Sequence, residues 1–347
     1  MLTTPEETKS QTRDLWRTCF ADSEDFMDIY FEDKYTDEAN LTVRMDGKVV
    51  AATQVLPYRL TFYGSVQYAG YISGLATLPD YRGRGFASNL LHEAHRRLYA
   101  QGATLSFLIP GSETLRTFYE KPQHGSYWTS VYRQELPLDI SQDGETDKIE
   151  VSRPDEWRQE LYVFYRRLTQ TLPFMVHPSE KDFFAALEAA DLEDGYVLVA
   201  HRKRRLVGFC LAVKEKNGKV YIRTLAITEA ATRKAFVEYL CRECGVAEVY
   251  RRFCIPGSNK GTEPYAMARV INVPRFLAGI AQPNPGFQLH IGIDGDLDIP
   301  ENNGWYIVEN GRVRLTDIRP ESIITPGGLA AMFMAAQPMV MDMMLDE

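Results

Sequence analysis

The sequence predicts an α/β protein in three parts, the first two of which repeat one arrangement of helices and mixed strands. Three observations predict it. The spacing of apolar residues alternates between the helical and the strand period along the chain. A glycine-rich loop, Arg82–Ala87, stands directly between a predicted strand and a predicted helix. The segment FLIPGS at 107–112 recurs as FCIPGS at 253–258, which indicates an internal duplication.

Size and composition indicate an ordinary soluble globular protein. A chain of 347 residues that is 45% hydrophobic and 25% charged is expected to form two or three domains. No apolar run is long enough to span a bilayer, and the polar first ten residues lack a signal-peptide core, so we expect a cytoplasmic protein that binds no membrane. The net charge of -8 disfavours nucleic acid and suits a cationic substrate, although solubility alone explains such a charge.

The cysteines predict neither a disulfide framework nor a metal site. There are five, an odd number, and we expect free thiols. Cys241 and Cys244 form a lone C-x-x-C, but no second pair of His or Cys ligands accompanies it. We therefore predict no metal.

Local signals predict the elements of the first part. Thr4-Pro5 and Ser23 are typical helix starts, and Asp46-Gly47 is a hairpin turn between two apolar runs. The further predicted elements are a strand at 68–77, a helix at 86–100, a strand at 105–109 and a helix at 112–119.

The rest of the chain divides at changes of composition. A polar stretch at 141–148 reads as a linker. After it we predict two amphipathic helices, three strands and a helix, and the basic run His201–Arg205 reads as an exposed turn. The last part alternates short strands and helices and ends in a methionine-rich apolar tail, which we expect to pack. The predicted domains are 1–145, 146–260 and 261–347.

The loop Arg82–Ala87 has the chemistry of an anion-binding cradle. Glycines adopt positive φ angles and let the backbone approach a ligand closely. The unpaired amides and the dipole at a helix N-terminus favour a pyrophosphate, and Arg82 and Arg84 can add charge-assisted contacts. The loop is neither a P-loop nor a dinucleotide-binding fingerprint, because it lacks the lysine of the first and follows hairpin strands. A glycine turn with exposed arginines is the alternative interpretation.

This segment resembles the acetyl-CoA signature of the GNAT N-acetyltransferases, Q/R-x-x-G-x-G/A, at Arg82, Gly85 and Ala87. The resemblance implies a GNAT fold with a mixed central sheet and acetyl-CoA as the cofactor. It also implies that the strand end at Leu75, Ala76 and Thr77 pairs with the pantetheine arm. The amides that would bind the pyrophosphate belong to Arg82, Gly83, Arg84, Gly85, Phe86, Ala87 and Ser88.

The next segment, LSFLIPGSETLRTFYEK at 105–121, resembles the following strand and helix of the same family, which often read FYEK-x-G-F. The resemblance implies that Tyr119 is the general acid that protonates the departing thiolate. A phenol is a suitable donor for that role. The sequence departs from the family pattern at Pro122-Gln123-His124-Gly125, which puts the local loop shape in doubt. The alternative for Tyr119 is a core aromatic.

The second copy of the repeat lacks glycines in its loop, so we expect it to bind no acetyl-CoA. Two such domains, the second degenerate, followed by a third α/β domain, resemble the enhanced-intracellular-survival (Eis) acetyltransferases. The resemblance implies a third domain similar to a sterol-carrier protein, here Met267–Ala336. It also implies that the C-terminal carboxylate, here of Glu347, is the general base, although Leu345-Asp346-Glu347 is a more acidic end than expected.

Two classes of function follow. The first is direct transfer of an acetyl group from acetyl-CoA to a primary amine of a small cationic or peptide-like acceptor. The second is a non-catalytic protein that binds CoA, a lipid or a partner. The intact loop and Tyr119 favour the enzyme. The sequence does not identify the acceptor, because acceptor pockets are built from variable loops. The oligomeric state also stays open, with a homo-oligomer as one alternative.

Overall fold

The computed structural model describes residues 4–146, 148–154, 156, 159–257 and 261–343. Over these residues the predicted α/β class is confirmed, with large mixed sheets covered by helices. No helix in this part of the chain is both long enough and apolar enough to cross a membrane. The likeness of the third part to a sterol-carrier protein stays a prediction.

The first helices begin where their capping residues predict. The Thr4 hydroxyl accepts a hydrogen bond from the Glu7 amide at 3.1 Å, and α1 (Pro5–Cys19) starts at the proline. Ser23 caps α2 (Glu24–Ile29) in the same way. A π-helical turn then extends α2 to Lys34. Both caps satisfy amides that a helix start leaves without partners.

The first part continues in the predicted order and adds a strand that the sequence did not predict, β5. The hairpin turn forms at Asp46 and Gly47, both with positive φ. The elements are β1 (Asn40–Met45), β2 (Lys48–Phe62), β3 (Ser65–Thr77), α3 (Phe86–Ala100), β4 (Leu105–Leu108), α4 (Glu113–Glu120) and β5 (Trp128–Pro137).

The second part repeats this order of strands, helix and strand, preceded by two helices and two short strands. Its elements are β6 (Ile149–Ser152), α5 (Gln159–Thr169), β7 (Met175–His177), α6 (Glu180–Leu192), β8 (Tyr196–Arg202), β9 (Arg205–Lys214), β10 (Val220–Ile227), α7 (Ala230–Cys244) and β11 (Val249–Ile255).

The third part contributes one strand to the large sheet and forms a second sheet of its own. Its elements are β12 (Glu263–Val270), α8 (Val273–Ala281), β13 (Leu289–Ile293), β14 (Gly304–Glu309), β15 (Arg312–Leu315), β16 (Ile323–Ile324) and α9 (Pro326–Met334).

One mixed sheet of the described residues runs through all three parts. Its order is β1-β2-β3-β4-β12-β5-β11-β10-β9-β8-β6, with β7 paired to β2. β12, from within the predicted third domain, lies between β4 and β5. Neighbouring residues of β4 pack on opposite faces of the sheet: Phe107 packs in one core with α8 and α9, whereas Leu108 packs in another core with α3. The three parts therefore share one continuous sheet.

The second part has the strand pairing of the first. β10 pairs in parallel with β11, as β3 does with β4, and in each part a helix connects the two strands. The connection differs, however. Only Thr228 and Glu229 separate β10 from α7, and the cap of α7 is Glu229 rather than a glycine. The absence of a cofactor site here stays a prediction, which the short connection supports.

The polar stretch at 141–148 is not a free linker. Asp143 is buried, and its carboxylate accepts hydrogen bonds from Arg233 at 2.7 and 2.5 Å. This ion pair attaches the stretch to α7. Sequence reasoning missed it because the two residues lie far apart in the chain.

The methionine-rich tail packs, as expected, over its described residues. Met339, Met341 and Met343 are buried. The Val340 amide donates to the Phe174 carbonyl, and the Val340 carbonyl accepts from the Val176 amide, both at 2.9 Å. The tail therefore crosses from the third part to the second.

Candidate active site

The site begins where two strands separate. β3 and β4 pair in parallel only at Ala69–Leu105, Gly70–Ser106 and Tyr71–Phe107. β4 then ends at Leu108, whereas β3 continues along β2 to Thr77. A register shift leaves Gly74 and Leu75 without partners on β2 as well. The result is a wedge-shaped opening beside the end of β3.

The glycine-rich loop forms a cradle of free amides above this opening. Gly83 and Gly85 have φ angles of 75° and 81°, and Gly85 is the N-cap of α3. Within the described ranges, no acceptor bonds to the amides of residues 83–88. A Cβ added at either glycine would meet no heavy atom within 4 Å. The open space and the unpaired donors fit a phosphate group.

The two arginines of the loop are exposed, and each donates to a backbone carbonyl that precedes the loop. Arg82 donates to the Thr77 carbonyl at 3.2 Å. Arg84 donates to the Asp80 carbonyl at 3.1 Å, and its guanidinium lies 5.0 Å from the ring centre of Tyr81. Each guanidinium has five N–H groups, so each keeps donors for an anion.

A cavity of about 740 Å³ extends along the cradle and the end of β3. Its volume is typical of small-molecule sites. Of the residues predicted to bind the cofactor, all but Arg84 line it. Its lining residues are Cys19, Phe20, Leu75, Ala76, Thr77, Tyr81, Arg82, Gly83, Gly85, Phe86, Ala87, Ser88, Leu115, Phe118, Tyr119 and His124. We name it the cofactor cavity.

A second cavity of about 580 Å³, which we name the acceptor cavity, meets the first. The two share Phe20, Leu75, Leu115 and Tyr119. Its other walls come from the α1–α2 junction, from β3, from the end of β4 and the residues that follow it, and from Ala189, Leu192 and Glu193 at the end of α6. The second part of the chain thus closes a cavity of the first.

The described lining of the acceptor cavity contains two charged side chains, and both are carboxylates. Asp22 accepts a hydrogen bond from the Trp16 indole at 2.8 Å. Glu193 pairs with Arg223 at 3.0 Å. Neither Lys, Arg nor His belongs to this described lining.

Tyr119 lies on α4 where the two cavities meet, and 7% of it is exposed. Burial raises the pKa of its phenol to about 12. The hydrogen bonds of the described residues include none to its hydroxyl. The phenol is therefore protonated at neutral pH and has no competing partner in this part of the chain.

His124 is a cavity residue that sequence reasoning missed. Its Nδ1 lies 2.7 Å from the Ser88 hydroxyl, and its ring stacks on Phe118 with 4.0 Å between ring centres. Burial, with the nearby charges of Lys121 and His92, lowers the pKa of His124. The sequence did single out the segment around His124, since this segment departs from the GNAT pattern.

The C-terminal carboxylate of Glu347 lies outside the described residues. The tail can be followed to Met343, whose sulfur accepts a hydrogen bond from the Thr224 hydroxyl at 3.1 Å. The role implied for Glu347 stays a prediction.

One known protein family matches the first part of the chain. The profile of the acetyltransferase (GNAT) domain family matches residues 3–123. No curated protein matches the sequence significantly.

Solved structures match nearly the whole chain. A GCN5-related N-acetyltransferase from Anabaena variabilis is 18% identical over 96% of this chain and 89% of that one, with a TM-score of 0.75. Eis1 from Mycobacterium abscessus is 12% identical over 96% of this chain and 88% of that one, with a TM-score of 0.72. At such identities the likeness establishes the fold. Residues 3–123 therefore match the GNAT acetyltransferase domain family, whose cofactor is acetyl-CoA, and the chain shares its overall fold with these two solved structures.

Proposed function

We propose that the chain transfers the acetyl group of acetyl-CoA directly to a primary amine of a small cationic or peptide-like acceptor. One observation carries the proposal: a cavity with a phosphate cradle and a cavity with two carboxylates meet at the buried phenol of Tyr119. This arrangement allows a reacting carbonyl and an amine to approach each other beside a proton donor.

Backbone groups of the chain hold the cofactor in the cofactor cavity. The free amides from Gly83 to Ser88, with the dipole of α3, favour a pyrophosphate. Leu75, Ala76 and Thr77 line the cavity beside this cradle. Their strand has lost β4 as a neighbour, so its edge can pair with the amide groups of a pantetheine arm. When bound, acetyl-CoA supplies an activated acyl group as a thioester.

The chain's own groups then stabilise charge and move protons. A backbone amide within residues 75–77 polarises the carbonyl oxygen. The amine nitrogen forms a bond to the carbonyl carbon, the carbon–sulfur bond breaks, and Tyr119 donates its proton to the sulfur. Water or a base takes the proton of the amine, and the terminal carboxylate of Glu347 is our proposal for that base. The net products are an acetamide and a free thiol.

The acceptor cavity favours a cation. Asp22 gives it negative charge without a basic residue in the described lining, and Glu193 adds a second carboxylate, which is paired with Arg223 outside that lining. Trp16, Phe20 and Phe26 add aromatic surface, on which an amine can also be held by cation–π contact. An acceptor that combines an amine with an apolar or second cationic group fits both features.

Turnover with matched acceptors tests the proposal. The full chain and acetyl-CoA are mixed with 1,5-diaminopentane, with pentylamine and with 5-aminopentanoate, and free thiol is measured with the acetylated amine. We expect thiol and acetamide in equal amounts, fastest for the diamine and slowest for the carboxylate. Acetyl-CoA binding without thiol release for these and for peptide amines would instead support the non-catalytic binder.

A further inference from the structure

A buried group of charges lies beside the site without touching either cavity. Arg269 of β12 is 1% exposed and donates to both oxygens of Asp296, each at 2.7 Å, and to Asp298 at 3.1 Å. Asn302 also donates to Asp296, and Asp298 lies 2.5 Å from Nδ1 of His95 on α3. We name these five residues the Arg269 cluster. It joins β12 and the loop after β13 to the helix that begins at the phosphate cradle.

The cluster also fixes the chain that follows α4. Arg269 donates to the Gly125 carbonyl at 2.8 Å. Nε2 of His95, whose pKa burial and Arg269 lower to about 4, lies 2.8 Å from the Tyr127 hydroxyl. Both contacts lie in residues 122–127, the segment that we name the His124 loop. Both ends of its last turn are thus bonded to buried polar groups.

The His124 loop needs such support because its backbone is strained. Gly125 and Ser126 have φ angles of 106° and 53°, and the second is unusual for a residue with a side chain. The Ser126 amide donates to the Lys121 carbonyl at 3.1 Å, and the Tyr127 amide donates to the Tyr119 carbonyl at 2.9 Å. The loop geometry therefore determines where His124 and the end of α4 lie.

We propose that the Arg269 cluster holds the His124 loop so that His124 keeps Ser88 in place at the phosphate cradle and Tyr127 keeps Tyr119 at the junction of the cavities. This inference rests on the function proposed above. Arg269, Asp296 and Asp298 are positioning residues in it, because none of them lines either cavity. The third part of the chain thereby sets the affinity of the first for acetyl-CoA.

The chemistry of the cluster suits a positioning role better than a purely stabilising one. Apolar residues of similar volume often replace a buried ion pair without loss of stability. A guanidinium, in contrast, is a planar fork that fixes the direction of several partners at once. Here one fork fixes a carbonyl of the His124 loop and two carboxylates of the third part.

A double-mutant cycle tests the inference. The dissociation constant of acetyl-CoA is measured by calorimetry for His124→Ala, Arg269→Gln and the double variant of the full chain. We expect each single change to raise the dissociation constant about tenfold. The double variant should have a dissociation constant less than about twofold above that of Arg269→Gln, because the effects of residues that act through one loop are not additive. The matched control is Arg233→Gln, which disrupts the Asp143 pair in the second part and should combine additively with His124→Ala.

Hydrogen exchange gives a readout without cofactor. In the free Arg269→Gln protein, the amides of Ser126 and Tyr127 should exchange at least about tenfold faster, whereas Arg233→Gln should leave them unchanged. If Arg269→Gln does not fold, Arg269→Lys takes its place, since it keeps the charge and loses the fork. Additive effects of Arg269 and His124, or an unchanged dissociation constant, overturn the inference. Failure of the unaltered protein to bind acetyl-CoA would instead refute the proposed function.

Discussion

A side chain at Gly85 should abolish acetyl-CoA binding while the fold persists. Gly85 has a φ angle of 81°, and Val there costs about 1–3 kcal/mol of folding free energy through backbone strain. No clash adds to this cost, because no heavy atom lies within 4 Å of the new Cβ. In the complex the side chain would lie where the phosphate meets the amides. Loss of two charge-assisted hydrogen bonds, about 1.5–3 kcal/mol each, weakens binding by about 10²–10⁴-fold.

Gly47→Val is the matched control for this prediction. Gly47 has a φ angle of 80°, and a Cβ there also meets nothing within 4 Å, but it lies in the β1–β2 hairpin turn. Both variants should unfold at similarly lowered temperatures, and calorimetry should show normal acetyl-CoA affinity for Gly47→Val alone. If Gly85→Val binds within about threefold of the unaltered protein, the reasoning about the cradle is wrong.

Three further predictions concern the chemical step and the acceptor. Tyr119→Phe should lower turnover about 10²-fold or more at unchanged acetyl-CoA affinity. Because burial raises the pKa of Tyr119 to about 12, the phenol keeps its proton throughout the range from pH 7 to pH 10. The rate of the unaltered protein should therefore not fall in that range. A loss of rate in that range would argue against this acid. Glu193→Gln should raise KM for 1,5-diaminopentane about tenfold and leave KM for pentylamine unchanged; equal effects on both would remove Glu193 from acceptor recognition. Deletion of residues 344–347 should lower turnover with acetyl-CoA binding intact if Glu347 is the base, and normal turnover would exclude that role.

The parts of the fold that the sequence predicted depend on local signals. The caps at Thr4 and Ser23, the turn at Asp46-Gly47 and the cradle at Gly85 each involve residues a few positions apart. Such interactions are formed by neighbouring residues whatever the rest of the chain does. The same locality explains why the predicted cofactor residues, Arg84 apart, were found around one cavity.

The features that the sequence did not predict are long-range. Nothing near β12 indicates that it pairs with β4 and β5, which precede it by more than a hundred residues. In the sequence, Arg269 is an ordinary charged residue of a predicted strand. Its partners Asp296 and Asp298 lie in the loop after β13, so nothing near Arg269 indicates that it is buried. Buried ion pairs of this kind depend on the assembled fold and leave no periodic pattern.

His124 shows how a departure from a family pattern carries information. The segment Pro122-Gln123-His124-Gly125 raised doubt only about the shape of the loop. In the structure it places an imidazole against Ser88 and Phe118, inside the cofactor cavity. The contact could not be predicted, because it depends on the positive φ of Gly125 and on the distance between α3 and α4.

Calorimetric titration of the full chain with acetyl-CoA tests the central claim most directly. The claim is that one cradle, at residues 83–88, binds the cofactor and that its counterpart before α7 does not. We predict one acetyl-CoA per chain, and none for Gly85→Val. Two molecules per chain, or one that Gly85→Val still binds, would contradict the account.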